Sequence, residues 1–361
     1  MSEVHKQRIE ALRRNLELWQ VDGLLVTNVV NCTWLSGFRG SSASLLITAD
    51  RAVLATDSRY WEQAADQAPD FELFKHNRTL AETAELLRAA AVSTVGTEAN
   101  HITVQQAREL ESIPGISWRH LDQAIDLLRM VKTAQEIDAI RAAAAITDAA
   151  MAQLPSLIYT GIPEKELAWH LERTMRDFGA DGMAFPPIIA FGSNGALPHH
   201  APGDRPLQSG DILLVDMGAR LDGYNSDLTR TYLYARDMDK RFDNIFSTVL
   251  EAQESAVSDI RSGADSRQVH LLAAQVIAAA GFGGAFNHGL GHGLGLEIHE
   301  DPFLSARRKP LELAAGMVIT IEPGIYLPGW GGVRIEDLIL VTENGAEYLS
   351  HSPKPRLISA A

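Results

Sequence analysis

"DILLVDMGARLDGYNSDLTRTYLY", residues 211–234, reads as two strands folded back on each other. Asp222-Gly223 is a strong two-residue hairpin signal, because a tight turn matching the twist of its strands needs positive φ, which Asp and Gly tolerate. With that pair as the loop, Asp216 opposes Thr229, and Asp227 lies two positions along on the same face. Two carboxylates then point the same way out of strands that are otherwise largely apolar. A three-residue loop without a bulge would put them on opposite faces instead.

Further along, the same anomaly recurs. "MVITIEPGIY" (317–326) carries Glu322 at the end of a β-branched run, and "VRIEDLILVT" (333–342) carries Arg334 and Glu336 on one face of a strand. Between these and the hairpin lies "NHGLGHGLGLEIHEDP" (287–302), three histidines set among glycines that allow close backbone approach. Any single Asp or Glu at a strand end is most simply a surface residue. Four of them with a glycine-flanked histidine, in one region, call for a shared positive charge, since a buried carboxylate costs several kcal/mol unless paired or coordinated. Asp216, Asp227, Glu322 and Glu336 bring four negative charges and His292 a neutral imidazole, so two divalent cations would neutralise the set. Oxygen-rich ligation with one nitrogen suits Mn, Co, Fe or Zn in a two-metal site that lowers the pKa of a shared water.

The rest of the chain frames this cluster. At 361 residues, two domains are expected. Residues 1–130 alternate helical and strand-like segments ("DGLLVTN", "SASLLIT", "RAVLAT", "STVGTE"), as in a small α/β domain. Near residue 130 a long helix begins, with Thr133 and Glu136 spaced as a capping box; a second comes next with Pro163 in its first turn, and two more span about 240–261 and 266–280. Helices and hairpins in this order predict α+β layering for 131–361, not a regular βαβ repeat.

Composition excludes several function classes. The net charge of −14, without a basic stripe, argues against nucleic acid as a partner. No apolar run approaches the roughly 18 residues of a membrane span, and the charged N-terminus lacks a signal-peptide core, so a cytoplasmic location is expected. Cys32 is the single cysteine, which rules out an intramolecular disulfide and a thiolate metal cluster.

These motifs resemble the pita-bread metallopeptidases of the aminopeptidase P and prolidase group, which cut the bond preceding proline at the amino end of short peptides. The resemblance rests on "LLVDMGARLDGYNSDLTRT", "HGLGHGLGLEIHE", "ITIEPGIYLPG", "GGVRIEDLILVT" and "ALPHHAPGDRPLQSGD", with ligand intervals of 11, 65, 30 and 14 in the family's order Asp, Asp, His, Glu, Glu. It extends over essentially the whole chain through "SGFRGS" and "DSRYWEQA". It implies a pita-bread (creatinase/aminopeptidase) catalytic domain at 131–361 behind a smaller N-terminal creatinase-like α/β domain at 1–130, and by the same token a homodimer. Asp227 and Glu336 would bridge two metals, Asp216 would chelate one, and His292 with Glu322 would hold the other. His199 in "LPHHAP" matches a histidine that meets the substrate or the tetrahedral intermediate, His299 in "EIHE" a second active-site histidine, and Arg334 a residue steadying the bridging ligands. His200 and His288 read as supporting or surface residues. Glu322 and Glu336 are both candidate shuttles for the water's proton, and the sequence does not choose between them.

Within that group, the residues lean toward an Xaa-Pro aminopeptidase. Prolidase is the alternative: it takes only Xaa-Pro dipeptides and needs a cation for the free proline carboxylate. "HEDPFLSARR" has Phe303 where some prolidases carry Arg, although Arg307 or an arginine of a partner subunit could substitute. Methionine aminopeptidase ranks lower because of the accessory domain. A metal-free binding module or creatine hydrolase of the same fold is disfavoured, because all five ligand positions hold competent residues.

Overall fold

Asp222 and Gly223 form the expected turn, with φ of 51° and 87°. The strands it joins pair in the expected register, Asp216 opposite Thr229. The chain is seen in a computed structural model that describes residues 3–77 and 79–359. It divides into two compact units, Met1–Arg129 and Met130–Ala361.

In the first unit, a six-stranded sheet runs Glu72–Lys75, Ala52–Thr56, Ser44–Thr48, Gly23–Val26, Thr94–Glu98, Ser117–Leu121. Ser44–Thr48 pairs antiparallel with both neighbours, while the flanking pairs are parallel. Helices Leu80–Ala89 and Val104–Glu111 cover it, each started by a capping box (Thr79 with Glu82, Thr103 with Gln106) that satisfies otherwise orphaned N–H groups.

Besides a small three-stranded sheet (Tyr224–Asn225, Ala219–Leu221, Gly182–Met183), the second unit holds two larger sheets with helices on their outer faces. One runs Leu357–Ile358, Leu228–Tyr234, Asp211–Met217, Ile188–Phe191; the other Glu300–Leu304, Gly291–Gly293, Val318–Ile321, Asp337–Val341, Ala346–Tyr348. A two-stranded ribbon, Gly324–Leu327 with Gly331–Arg334, lies beside them. Ala134–Leu157, capped by Thr133 and Glu136 as its sequence predicts, and Glu164–Asp177 bury Met151, Leu154, Leu167 and Leu171 against Leu213, Val215 and Met217 of the first sheet. Lys240–Ser258 and Ser266–Ala279 do the same with Phe242, Phe246, Val249 and Ile277 against Ile319, Ile321 and Ile339 of the second. Pro163 does not enter its helix: with ψ of 150° it is the N-cap, and Glu164 is the first helical residue.

The strand segments read from the sequence are shorter than expected, and where they stop matters. "YNSDLTRTYLY" breaks at Ser226-Asp227, "MVITIEPGIY" at Glu322-Pro323, and "VRIEDLILVT" at Ile335-Glu336. Asp227, Glu322 and Glu336 therefore sit in gaps between ladders, where a strand leaves one set of partners for another. The glycines around His292 have a similar geometric reason: a Cβ on Gly291 would lie 1.9 Å from the carbonyl oxygen of Thr320. We expect Gly291→Ala to push these strands apart and destabilise the protein by about 1–3 kcal/mol, the scale of overpacking in a close-packed interior. Urea unfolding of both proteins measures it; an unchanged midpoint would contradict the close approach.

Candidate metal centre

Asp216, Asp227, His292, Glu322, Arg334 and Glu336 converge on one cavity of about 450 Å³, which also carries His199, His288 and His299 on its walls. All lie in the second unit. One ligand atom each from Asp227, His292 and Glu336 falls within 4.8 Å of the others. His292 Nε2 is 3.7 Å from Asp227 Oδ2 and 3.5 Å from Glu322 Oε1.

Local hydrogen bonds aim these groups. His292 Nδ1 lies 3.0 Å from the carbonyl of Gly293, which can only accept, so the hydrogen is on Nδ1 and the Nε2 lone pair faces the carboxylates. Thr320 Oγ1 accepts from the His292 backbone N–H at 3.1 Å and donates toward Glu322 Oε1 at 3.4 Å. Thr229, opposite Asp216 on the hairpin, donates its hydroxyl to Glu336 Oε2 at 2.6 Å. Arg334 gives Nη2 to Asp216 Oδ2 (2.5 Å), Nη1 to the Tyr326 hydroxyl (2.8 Å) and Nε to Thr229 Oγ1 (3.1 Å). Tyr326 in turn bonds His288 Nε2 at 3.0 Å, while His288 Nδ1 is held by the Gly289 carbonyl at 2.6 Å. Behind the cluster, the buried guanidinium of Arg230 bonds the Glu336 carbonyl and the Asp337 carboxylate, both at 2.6 Å.

Electrostatics then tests whether this set fits a cation. Burial, reinforced by the neighbouring carboxylates, pushes Asp227 and Glu336 well above the usual carboxylate range. Burial also takes Glu322 up to about 8 against the opposing pull of Arg334. Burial drives His292 down to about 3 and His288 to about 4, leaving both imidazoles neutral. Asp216 Oδ1 is buried without a hydrogen-bond partner. Carboxylates that repel one another, a neutral imidazole with its lone pair exposed to them, and an orphaned oxygen are a donor set that a divalent cation would satisfy.

His199 and His299 stand exposed at the cavity mouth, the His299 ring centroid 4.3 Å from that of His292. Phe185, Pro186, Pro187, Ile188 and Phe303 line the same cavity as an apolar wall, with Ile188 paired across the strands to Asp216 and Phe303 to His292. Sequence reasoning missed this wall and the role of Tyr326; "FPPII" was the available signal for the first, since prolines followed by apolar residues cannot all sit in a ladder. It also missed Glu164, which binds His200 at 2.8 Å. Nothing distinguishes that Glu in sequence from an ordinary first-turn acid.

The fold and this cavity together define a metallopeptidase. Residues 138–343 match the model of metallopeptidase family M24, and residues 8–131 match the creatinase/prolidase N-terminal domain. The chain belongs to metallopeptidase family M24, with a creatinase-type N-terminal domain and a pita-bread catalytic domain. It is 34% identical to the Xaa-Pro dipeptidase of Pyrococcus furiosus over 98% of this chain and 100% of that protein. Among solved structures, it resembles the Xaa-Pro dipeptidase from Bacillus anthracis, with a TM-score of 0.94, 36% identity and coverage of 98% and 99% of the two chains. The X-Pro aminopeptidase from Thermotoga maritima matches at a TM-score of 0.89 and 33% identity, covering 97% and 99%. No helix among the described residues is long and apolar enough to cross a membrane.

The raised carboxyls make a signed statement about pH. A group such as Glu322, raised in the folded protein to about 8, contributes stability that is present below its unfolded value and lost as pH rises through 8. The depressed His292 and His288 act in the opposite sense, but only below their unfolded value near 6.5. Between pH 7 and 8.5 the carboxyls therefore dominate. Chelator-treated protein should lose stability across that window, and the gain in Tm on adding Mn should grow with it. Calorimetry with EDTA and with Mn measures both; a pH-independent gain would contradict the electrostatic account.

Proposed function

We propose that this protein is an Xaa-Pro dipeptidase acting with two divalent metal ions per subunit, held by Asp216, Asp227, His292, Glu322 and Glu336. Convergence of those five ligands beside an apolar wall is the observation that carries the hydrolytic reading. Bound there, the ions would supply a water of lowered pKa and polarise the carbonyl before proline. Phe185, Pro186, Pro187, Ile188 and Phe303 pack the pyrrolidine ring. His199 and His299, exposed at the mouth, hydrogen-bond the carbonyl oxygen as charge develops on it. Glu322 is the better proton carrier of the two glutamates: its side chain is 19% exposed and meets Thr320 only at 3.4 Å, while Glu336 is buried and accepts from Thr229 at 2.6 Å. It takes the water's proton and delivers it to the proline nitrogen, which lacks a hydrogen of its own. Arg334 holds Asp216 and the Tyr326 hydroxyl in place. Residues 1–130 would form the accessory domain, and a homodimer belongs to the same reading; light scattering checks the latter.

The dipeptidase reading departs from the sequence expectation of an aminopeptidase. Two things support it: the dipeptidase relatives match at 34–36% identity over nearly the full chain, and a cation stands beside the wall. That cation is Arg308, whose guanidinium carbon lies 4.7 Å from the Phe303 ring centroid. In this reading it is the cation that would meet a free proline carboxylate. The aminopeptidase reading keeps the support of the Thermotoga structure and of Phe303 itself.

Assays of Ala-Pro, Ala-Pro-Ala and Met-Ala-Ala with Mn or Co decide between them. Ala-Pro alone should be cleaved efficiently. Preferential cleavage of Ala-Pro-Ala would establish the aminopeptidase instead, and no release from any of the three would reject both. Arg308→Met should raise KM for Ala-Pro about tenfold or more, the loss of one charge-assisted contact worth ~1.5–3 kcal/mol, and leave KM for Ala-prolinamide nearly unchanged. Equal effects on both substrates would remove Arg308 from carboxylate recognition.

A further inference from the structure

One fully buried carboxylate lies outside the ligand cluster and has no lysine or arginine bonded to it among the described contacts. Glu164, first residue of the helix Glu164–Asp177, is 0% exposed. Four donors converge on it: the Phe191 backbone N–H and the Asn194 amide on Oε1, both at 2.8 Å, and His200 Nε2 (2.8 Å) and the Gly203 N–H (3.0 Å) on Oε2. His200 Nε2 faces a carboxylate oxygen and is the ring nitrogen placed to donate to it. The helix N-terminus adds favourable potential for the negative charge.

All four donors belong to the segment 191–203, which leaves the sheet at Phe191, makes the short helical turn Gly192–Ala196 and passes the cavity at His199. The start of the helix also fastens the far end of this loop: the Lys165 N–H bonds the Gly203 carbonyl at 3.1 Å, and the Glu164 N–H bonds the Arg205 carbonyl at 3.2 Å. On the cavity side, Arg334 Nη1 reaches the Pro198 carbonyl at 3.4 Å. His199 is thus the residue between two anchored neighbours, Pro198 tied toward the metal cluster and His200 tied to the helix.

We propose that Glu164 is a positioning residue for His199: by gathering Phe191, Asn194, His200 and Gly203 onto one carboxylate, it fixes the loop that presents the His199 imidazole to the substrate. The inference rests on the reading that His199 meets the substrate. The carboxylate makes no contact with the cavity, so it acts through the loop alone. An amide of the same shape cannot replace it, since its NH2 would face N–H donors.

Two measurements test this on the metal-loaded full-length enzyme. In a double-mutant cycle, Glu164→Gln should lower kcat/KM for Ala-Pro at least tenfold, yet cost less than about twofold when His199→Ala is already present. Bound Mn per subunit should stay as in the wild type. Equal costs in both backgrounds would mean a general structural role and overturn the proposal. Should Glu164→Gln fail to fold, His200→Ala and His200→Gln give the same cycle with one donor removed or retained: the alanine should show the coupling and the glutamine should restore most of the rate. The second measurement needs no turnover. In zinc-loaded, histidine-labelled protein, the NMR ring signal assigned by its loss in His199→Ala should shift or broaden in the Glu164 or His200→Ala variant while the signal of His292 holds. An unmoved His199 signal would overturn the positioning role. A wild-type enzyme inactive on every Xaa-Pro substrate would sink the functional reading, with the spectra still reporting on the loop.

Discussion

Mutual repulsion among carboxylates gathered in one largely buried cavity is the constraint around which this catalytic unit is built. Two unit charges about 4 Å apart oppose each other by about 4 kcal/mol at the effective dielectric of protein sites. Asp227, Glu336, Asp216 and Glu322 present several such pairs at once; in Asp227, Glu322 and Glu336 burial first, and the neighbouring carboxylates after it, hold the carboxyls above their usual range. Only one cationic side chain, Arg334, bonds any of the four directly among the described contacts, and it serves Asp216. One guanidinium cannot offset four carboxylates. The fold instead freezes their positions: Thr229 binds Glu336, Thr320 reaches Glu322, and Arg230 holds the Glu336 backbone from behind. A preformed arrangement of this kind costs folding energy in advance and spares reorganisation when a dication enters.

Much of this was legible from the sequence because two strong local rules happen to coincide with the site. The Asp222-Gly223 turn sets the register, and the register alone puts Asp216 opposite Thr229. The capping box at Thr133 is equally local, and the helix begins where it says. By contrast, the breaks at Asp227, Glu322 and Glu336 are set by which sheet each flanking segment joins, a long-range matter that period-two alternation does not encode. Pro163 shows the same limit on a small scale: its fixed φ suits either a cap or a first turn, and the backbone bonds made by Gly203 and Arg205 select the cap. Glu164, Tyr326 and the wall at Phe185–Ile188 drew no notice in sequence because their importance lies in what approaches them from more than twenty residues away, or from segments without a motif.

Tyrosine and histidine around the cluster form a relay whose hydrogen placements are dictated by elementary bonding. The Gly289 carbonyl fixes the His288 tautomer, His288 Nε2 then accepts from Tyr326, and the Tyr326 oxygen accepts from Arg334. Burial keeps the phenol protonated, with its pKa pushed up to about 12. The orientation of Asp216 is thereby tied to a backbone carbonyl on a separate strand connection.

The cage and the wall come from different stretches of chain. The proposed ligands arrive from the hairpin, the Gly291–Gly293 strand and the two breaks at Glu322 and Glu336, while the wall is contributed by Phe185–Ile188 and Phe303, with Arg308 stacked on the latter. The two sets still meet across the strands, where Ile188 pairs with Asp216 and Phe303 with His292. Scaffolds that match this one at TM-scores of 0.94 and 0.89 carry the names dipeptidase and aminopeptidase side by side.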